Sequence, residues 1–201
     1  MIPPLVIIQA RLHSARLEKK MLCHLAGETL IARAWRLACA TFGADQCVVA
    51  IPIGDIAGPL GDELRRIGAR IFAYGGREND VLGRFWACAH TYRWRPESVV
   101  FRWTPDDVFK DAEMCKRVAD GERLPVEQGG EAFTLATLDE VFARDMPEVE
   151  REHLTPLLFP VRPPAPPAGC WSVDTAADLA AAELILHPPK RGPGRPRKVT
   201  Q

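Results

Sequence analysis

"PLVIIQARLHSARLEKKML", residues 4–22, joins an apolar run to a cluster of basic side chains. Residues 5–8 are four apolar residues in a row, which predicts a buried strand. The segment that follows the strand carries Arg11, His13, Arg16, Lys19 and Lys20. Cations at the end of a buried strand need an oppositely charged partner, because an unpaired charge beside a core is costly. The stretch therefore predicts an anionic ligand beyond the first strand.

Strand and helix patterns alternate along the rest of the chain. Apolar or β-branched runs predict further strands at residues 48–51, 70–73, 98–102 and 132–136. Helical spacing and capping residues predict helices at 29–40, 61–68, 79–92, 111–119, 138–143 and 174–186. This alternation predicts an α/β fold with a doubly wound, mostly parallel, Rossmann-like sheet and helices on both faces. Such sheets bind ligands beyond the carboxyl ends of their strands, where the basic loop falls.

Composition favours a globular protein of a reducing compartment. Of 201 residues, 47% are hydrophobic and 26% are charged, and 26 basic residues balance 26 acidic ones. The six cysteines show no close pairing, so we expect free thiols and a cytoplasmic location. No apolar run reaches the roughly 18 residues that a transmembrane helix needs, so we expect no membrane association.

The chain divides into a predicted single domain, residues 1–187, and a basic tail, residues 188–201. The tail, "PPKRGPGRPRKVTQ", cannot bury a core and is predicted to be disordered. Its segment 190–198 resembles an AT-hook, which lies in a narrow A·T-rich minor groove. The residues that would contact DNA weakly in this way are Arg191, Arg195, Pro196 and Arg197. A solvated basic tail without a DNA role is the alternative.

Two acidic segments are candidates for metal binding. "FRWTPDDVFKD", residues 101–111, places Asp106 and Asp107 after the fourth predicted strand. "CWSVDTAADL", residues 170–179, places Asp174 before the last predicted helix. Carboxylates at such positions can hold Mg²⁺, which prefers oxygen ligands, although helix capping is the alternative for both segments. Convergence of Asp106 and Asp174 on one ion would favour the metal.

Together these segments resemble the cytidylyltransferase family of the spore coat polysaccharide biosynthesis protein F type. That family is related to the synthetases of CMP-3-deoxy-manno-octulosonate and CMP-sialic acids. The first matching segment is the loop after the first strand, with Ala10, Arg11, Ser14, Arg16, Leu17 and Lys20. Five others follow in the family's order: "GETLIARAWRLA" (27–38), "RENDVLGRF" (77–85), "RWTPDDVFKD" (102–111), "EREHLTP" (150–156) and "SVDTAADL" (172–179).

The resemblance implies a Mg²⁺-dependent nucleotidyltransferase with the fold of nucleotide-diphospho-sugar transferases. It would transfer CMP from CTP to a sugar or sugar acid, releasing pyrophosphate, in surface polysaccharide biosynthesis, and a homodimer is one expected assembly. The implied catalytic residues are Arg11, Lys20 and Asp106, with Mg²⁺ held by Asp106 and Asp174. The implied nucleotide-binding residues are Ala10, Arg11, Ser14, Arg16, Lys20, Asp80, Arg84 and Arg102. Glu131 and His153 would contact the acceptor.

The chain departs from the family pattern at three positions. Glu18 and Lys19 stand where the family has proline and glycine, and Pro105 stands where it has glycine. Residues 111–131 also form a shorter connection than in relatives. Two alternatives therefore stay open: a catalytically degenerate nucleotide-binding relative, and a DNA-associated protein that acts through its AT-hook-like tail.

Overall fold

The computed structural model describes residues 3–93, 95–159, 161, 163–169 and 171–188. The tail residues predicted to contact DNA, Arg191, Arg195, Pro196 and Arg197, lie outside the described residues. The predicted domain boundary at residue 187 and the DNA contact both stay predictions.

A five-stranded sheet forms the centre of the molecule, with the strand order β5-β4-β1-β6-β7. Its strands are β1 (Leu5–Gln9), β4 (Cys47–Pro52), β5 (Ile71–Tyr74), β6 (Val99–Trp103) and β7 (Glu131–Thr134). β2 (His24–Leu25) and β3 (Glu28–Thr29) form a separate hairpin. The first four strands of the sheet are parallel and β7 runs antiparallel to β6, which confirms the mostly parallel sheet. Since β1 lies between β4 and β6, its carboxyl end and that of β6 flank the point where ligands bind in such sheets.

Helices cover both faces of this sheet, as the alternating pattern predicted. They are α1 (Leu30–Phe42), α2 (Pro59–Arg66), α3 (Val81–Tyr92), α4 (Ala112–Ala119), α5 (Val126–Gly129), α6 (Leu135–Phe142), α7 (Leu154–Leu158) and α8 (Ala176–Leu186). Helices α1, α2 and α4 pack on one face, and α3, α6 and α7 on the other. Alternate residues of β1 enter the two layers, because successive strand side chains point to opposite faces. β1 is thus buried on both sides, as its apolar run indicates.

Helix α8 belongs to a third, smaller apolar cluster. Ala182 of α8 packs with Leu25 and Leu30 of the hairpin region, and with Val108 and Val173. The Glu183 carboxylate also accepts a hydrogen bond of 2.7 Å from the backbone N–H of Ala26. These contacts bring the chain that precedes α8 next to the end of β6.

The short elements were not predicted from the sequence. β2 and β3 have two residues each, and α5 and α7 have four and five. Segments this short contain no full hydrophobic period, so only tertiary contacts reveal them. Within the described part of the chain, no helix combines the length and the hydropathy required to cross a membrane.

Candidate functional site

A cleft of 330 Å³ opens where β1 and β6 end. The loop after β1, the turn after β6 and the 3-10 turn Glu148–Glu152 form its walls. The predicted site residues that line it are Ala10, Arg11, Ser14, Arg16, Lys20, Arg102, Asp106 and His153. Asp80, Arg84, Glu131 and Asp174 lie outside this lining, and each acts on a residue within it or beside it.

Lys20 lies between the two carboxylates that were predicted to hold a metal. Its Nζ donates to Asp106 Oδ2 at 2.8 Å and to Asp174 Oδ1 at 2.9 Å. A guanidinium nitrogen of Arg16 lies 2.9 Å from the same oxygen of Asp174. Burial disfavours the charged form of Lys20, but the two carboxylates outweigh that effect and raise its pKa. Asp106 and Asp174 therefore converge on one cation.

The residue before Lys20 has a backbone conformation that favours glycine. Lys19 has φ 49° and ψ 38°, in the left-handed region, and the 3-10 turn Lys20–Leu22 begins directly after it. This tight turn directs Lys20 into the cleft, where its side chain is only 9% exposed. Lys19 thus forms this turn at the expense of local strain.

We expect the Lys19→Gly variant to be more stable than the wild type by about 0.5–1 kcal/mol. Glycine enters the left-handed region without the steric cost that a β-carbon brings, although its unfolded chain is more flexible. The measurement is the free energy of unfolding in urea, with Lys19→Ala as the control that keeps the strain. Equal stability of the glycine and alanine variants would contradict this prediction.

Arg11 is paired with an acidic residue that was not among the predicted site residues. Its guanidinium donates to Asn79 Oδ1 at 2.6 Å and to Glu152 Oε1 at 2.8 Å. Glu152 also lines the cleft. The only feature of the sequence that could have indicated Glu152 was its position directly before His153, in the matching segment 150–156. The Glu152 carboxylate occupies the place beside Arg11 that an anionic ligand would take.

Arg84 lies beneath the loop that follows β1. Its side chain is fully buried and donates to the backbone carbonyls of Ala10, at 2.9 Å, and Glu78, at 2.5 Å. Burial and the nearby charge of Arg11 lower the pKa of Arg84 to about 10. Arg84 therefore fixes the carbonyl of a residue in the cleft wall, and its predicted contact with a nucleotide stays a prediction.

Asp80 is held by three donors at the beginning of α3. Its carboxylate accepts from the Tyr74 hydroxyl at 2.8 Å, the Gly83 N–H at 2.9 Å and Arg151 Nε at 2.8 Å. A β-carbon at position 83 would collide with this carboxylate and with the Tyr74 hydroxyl, so glycine leaves room for their hydrogen bond. Burial alone would raise the pKa of Asp80, but Arg151 and the other two donors lower it. The predicted nucleotide contact of Asp80 stays a prediction.

We expect Asp80→Asn to lower the free energy of unfolding by about 1–2 kcal/mol at pH 7, because Arg151 loses its half-buried partner. The folded-state pKa of Asp80 lies below its unfolded value. The carboxylate's stabilisation is therefore complete above about pH 4 and is lost as the pH falls through the folded-state pKa. Urea unfolding of both proteins between pH 7 and pH 3 is the measurement. If the difference in the free energy of unfolding between the two proteins did not become smaller below about pH 4, the stabilising role of the Asp80 carboxylate would be contradicted.

Arg102 is oriented by Glu131 on the neighbouring strand. The antiparallel pairing of β6 and β7 places the two residues opposite each other. Their side chains form an ion pair, and Glu131 is only 2% exposed. Arg102 Nε also donates to Gln9 Oε1 at 3.1 Å. Glu131 thus holds a cation of the cleft wall, and its predicted contact with the acceptor stays a prediction.

The two adjacent aspartates after β6 have different surroundings. Asp106 faces Lys20, whereas Asp107 is 8% exposed and accepts from Lys110 Nζ at 2.9 Å. The hydroxyls of Thr104 and Ser172 also donate to the Asp107 carboxylate. Burial would raise the pKa of Asp107, but the charge of Lys110 and the two hydroxyls lower it. Only one of the pair is therefore available to the cleft.

Other residues cap the helices that follow the two acidic segments. Asp111 caps α4 and accepts from the N–H of Met114 at 2.8 Å. Thr175 caps α8 through a capping box. The carboxylates of Asp106 and Asp174 thus serve Lys20 rather than a helix end.

The carboxylates of Asp106 and Asp174 suit Mg²⁺ better than a metal ion whose ligands all come from protein side chains. Among the described residues, no group of three or more His, Cys, Asp or Glu side chains is placed to hold a metal ion. Mg²⁺ is commonly held by one or two carboxylates, with waters and substrate phosphates completing its shell. Two carboxylates that already share one cation fit that pattern.

The N-terminal part of the chain matches a known family. Residues 5–123, more than half of the chain, match the family model described as "Cytidylyltransferase". The 3-deoxy-manno-octulosonate cytidylyltransferases of Chlorobium phaeobacteroides and Chlorobium phaeovibrioides are 53% and 51% identical to it over 55 residues. Each match covers 27% of this chain, and it spans 22% of the length of either relative.

Solved structures share the fold over most of the chain. A cytidylyltransferase from Leptospira borgpetersenii superposes with a TM-score of 0.71 at 20% identity, covering 86% of this chain and 82% of that one. A CMP:2-keto-3-deoxy-manno-octonic acid synthetase complexed with CTP superposes with a TM-score of 0.65 at 15% identity, covering 92% and 98%. At these identities the likeness shows the fold, and it confirms the α/β architecture predicted from the sequence.

Proposed function

The chain belongs to the cytidylyltransferase family, and we propose that it transfers CMP from CTP to a sugar or sugar-acid acceptor and releases pyrophosphate. The observation that carries the proposal is the convergence of Lys20, Asp106 and Asp174 in the cleft between β1 and β6. A cation that faces two carboxylates, beside Arg11 and Arg16, suits a ligand that brings both phosphates and a metal.

Binding of a triphosphate exchanges the partners of the cleft's cations. In the free protein Arg11 is paired with Glu152, and Arg16 and Lys20 are paired with Asp174. Phosphate oxygens compete well for these cations, because guanidinium groups bind them bidentately and an ammonium binds them as a point charge. Each exchange gives the cation a phosphate oxygen in place of a carboxylate oxygen, so the cation stays neutralised.

The carboxylates that the cations release hold the metal in this proposal. Asp106 and Asp174 would bind Mg²⁺, which neutralises phosphate oxygens and stabilises charge that develops during transfer. Lys20 and Arg16 then face the β- and γ-phosphates and stabilise the pyrophosphate that leaves. The acceptor oxygen would bond to the α-phosphorus as the bond from that phosphorus to the pyrophosphate oxygen breaks, and the hydroxyl proton would pass to solvent. The protein thus contributes positioning and electrostatics rather than a covalent intermediate.

The departures from the family pattern leave this arrangement in place, which supports an active enzyme over a degenerate relative. Lys19 adopts the left-handed conformation, and Lys20 still reaches both carboxylates. Pro105 is buried, and Asp106 directly after it still faces Lys20. The cytoplasmic location and the homodimer stay predictions.

Nucleotide binding followed by turnover tests the proposal. Thermal unfolding with each of the four nucleoside triphosphates and Mg²⁺ is expected to show the largest stabilisation with CTP. Pyrophosphate release is then measured with CTP across a panel of sugars and sugar acids that includes 3-deoxy-manno-octulosonate. Absence of stabilisation by any nucleotide would exclude the enzyme. Binding of CTP without turnover of any acceptor would favour the degenerate nucleotide-binding relative.

A further inference from the structure

Residues 171–174 lie alongside the turn that follows β6. The N–H of Val173 donates to the carbonyl of Asp106 at 2.8 Å, and the N–H of Val108 donates to the carbonyl of Trp171 at 3.2 Å. Asp107 and Ser172 form an antiparallel bridge between these two bonds. A segment from late in the chain is thereby joined to the strand end that carries Asp106.

The bridge encloses a buried polar network. Ser172 Oγ donates to one oxygen of Asp107, and Lys110 Nζ donates to the other at 2.9 Å. The Lys110 side chain is fully buried and also donates to the carbonyl of Val126 at 2.7 Å. The Asp107 carboxylate thus has a charged partner and a directional bond to the segment, as a buried charge requires.

Extended backbone places Ser172 and Asp174 on the same side of the segment. Ser172 contacts Asp107 and Asp174 contacts Lys20, whereas Val173 between them is fully buried in the third apolar cluster. Side chains two residues apart share a face of an extended chain. A shift of Ser172 along the turn therefore moves Asp174 by the same amount.

We propose that Asp107 is a positioning residue that sets the location of Asp174 relative to Asp106 through Ser172. The apolar contact of Val173 holds the segment against the body but has no direction. The two backbone bonds of the bridge set the register of the segment on the turn, and the bond from Ser172 to Asp107 adds a side-chain contact of defined length and angle that holds it there. This inference rests on the proposed function, because the spacing of the two carboxylates matters only if the cleft binds a metal with the nucleotide.

The test uses Ser172→Ala, because Asp107→Asn would leave Lys110 buried without its carboxylate and endanger the fold. Ser172→Thr keeps a hydroxyl and serves as the conservative variant. The matched control is Thr134→Ala. It also removes a hydrogen-bonded hydroxyl, because the Thr134 hydroxyl caps α6. Thr134 pairs with Val99 at the beginning of β6, the end of the strand opposite to the cleft.

The first measurement is the affinity for Mn²⁺, a spectroscopic substitute for Mg²⁺, in the presence of CTP and without an acceptor. We expect Ser172→Ala to weaken Mn²⁺ binding about 10-fold, as the loss of outer-shell support does at metal sites. We expect its CTP affinity without metal to stay within about two-fold of the wild type, because the cations that would hold the triphosphate belong to the loop after β1 and are kept in this variant. Ser172→Thr and Thr134→Ala should bind Mn²⁺ like the wild type. Unchanged Mn²⁺ affinity in Ser172→Ala, or an equal loss in Thr134→Ala, would overturn the proposal.

Amide hydrogen exchange separates this inference from the proposed function. The Val173 N–H should lose protection in Ser172→Ala but not in Thr134→Ala, whether or not the protein binds CTP. If the wild type bound neither CTP nor Mn²⁺, the proposed function would fail, and the exchange result alone would decide whether Asp107 holds the segment. Unchanged Val173 protection in Ser172→Ala would overturn the positioning role independently.

Discussion

The Lys20→Met variant is expected to release pyrophosphate from CTP about 10²–10³-fold more slowly than the wild type. Losses of this size follow the removal of one preorganised donor that stabilises developing charge. Lys20 is the residue whose ammonium reaches both Asp106 and Asp174 from the floor of the cleft. Methionine has a similar length but no charge, so it removes the interaction and keeps most of the packing.

The same variant has a second expected result, which distinguishes a lower reaction rate at an intact site from damage to the site itself. Without the ammonium, Asp106 and Asp174 lose the cation that competes with a metal. We therefore expect Lys20→Met to bind Mn²⁺ without nucleotide more tightly than the wild type does. The matched control is Lys19→Met, since the Lys19 side chain is 56% exposed and its carboxylate contact is with Glu18 at 3.7 Å. Equal loss of rate in both variants, or weaker Mn²⁺ binding in Lys20→Met, would contradict the assignment.

The Asp174→Asn variant is expected to lower the rate constant of CMP transfer about 10²–10³-fold at saturating CTP, with the fold intact. An amide has the shape of the carboxylate but lacks the charge that a divalent cation requires. Thr175, not Asp174, caps α8, so the helix should keep its N-terminus.

Asp178→Asn is the matched control for this variant. Asp178 accepts from the N–H and the hydroxyl of Thr175 in the capping box of the same helix, and from the backbone N–H of Asp174 at 3.1 Å, and asparagine keeps an acceptor oxygen for these donors. Its replacement should weaken the capping box and lower stability slightly, with little change in rate. Titration of the rate with Mg²⁺ and urea unfolding of both variants are the measurements. If Asp174→Asn only lost stability and Asp178→Asn lost activity, the metal role of Asp174 would be wrong.

Residues that follow strand ends were the predictable part of the site. The four-residue apolar run before Gln9 predicted β1, and the alternation of elements predicted a parallel sheet. In such a sheet the carboxyl ends of strands meet at one edge, so Arg11, Lys20 and Asp106 were expected to lie together. Each signal is local in sequence, which is why it could be interpreted without the structure.

Pairings between distant segments were not predictable in the same way. The partner of Arg11 is Glu152, 141 residues later, and no sequence period connects them. The full burial of Arg84 depends on carbonyls of two separate loops, although its motif resembles a ligand-binding one. Asp106 and Asp107 have identical side chains, and their different partners separate their roles: Lys20 for Asp106, and Lys110 and Ser172 for Asp107. These side-chain pairings depend on tertiary contacts, and no local pattern in a single sequence indicates them.

The bridge between Asp107 and Ser172 joins positions 65 residues apart, and this spacing has a consequence for the protein during synthesis. A ribosome that adds about 5–20 residues per second needs roughly 3–13 seconds to make that stretch. During this interval the strands around β1 can pair, and Arg11, Lys20 and Asp106 can gather, before Asp174 has left the ribosome. Under the proposed function, the nascent chain would therefore present the nucleotide side of the site before the second carboxylate of the proposed metal site.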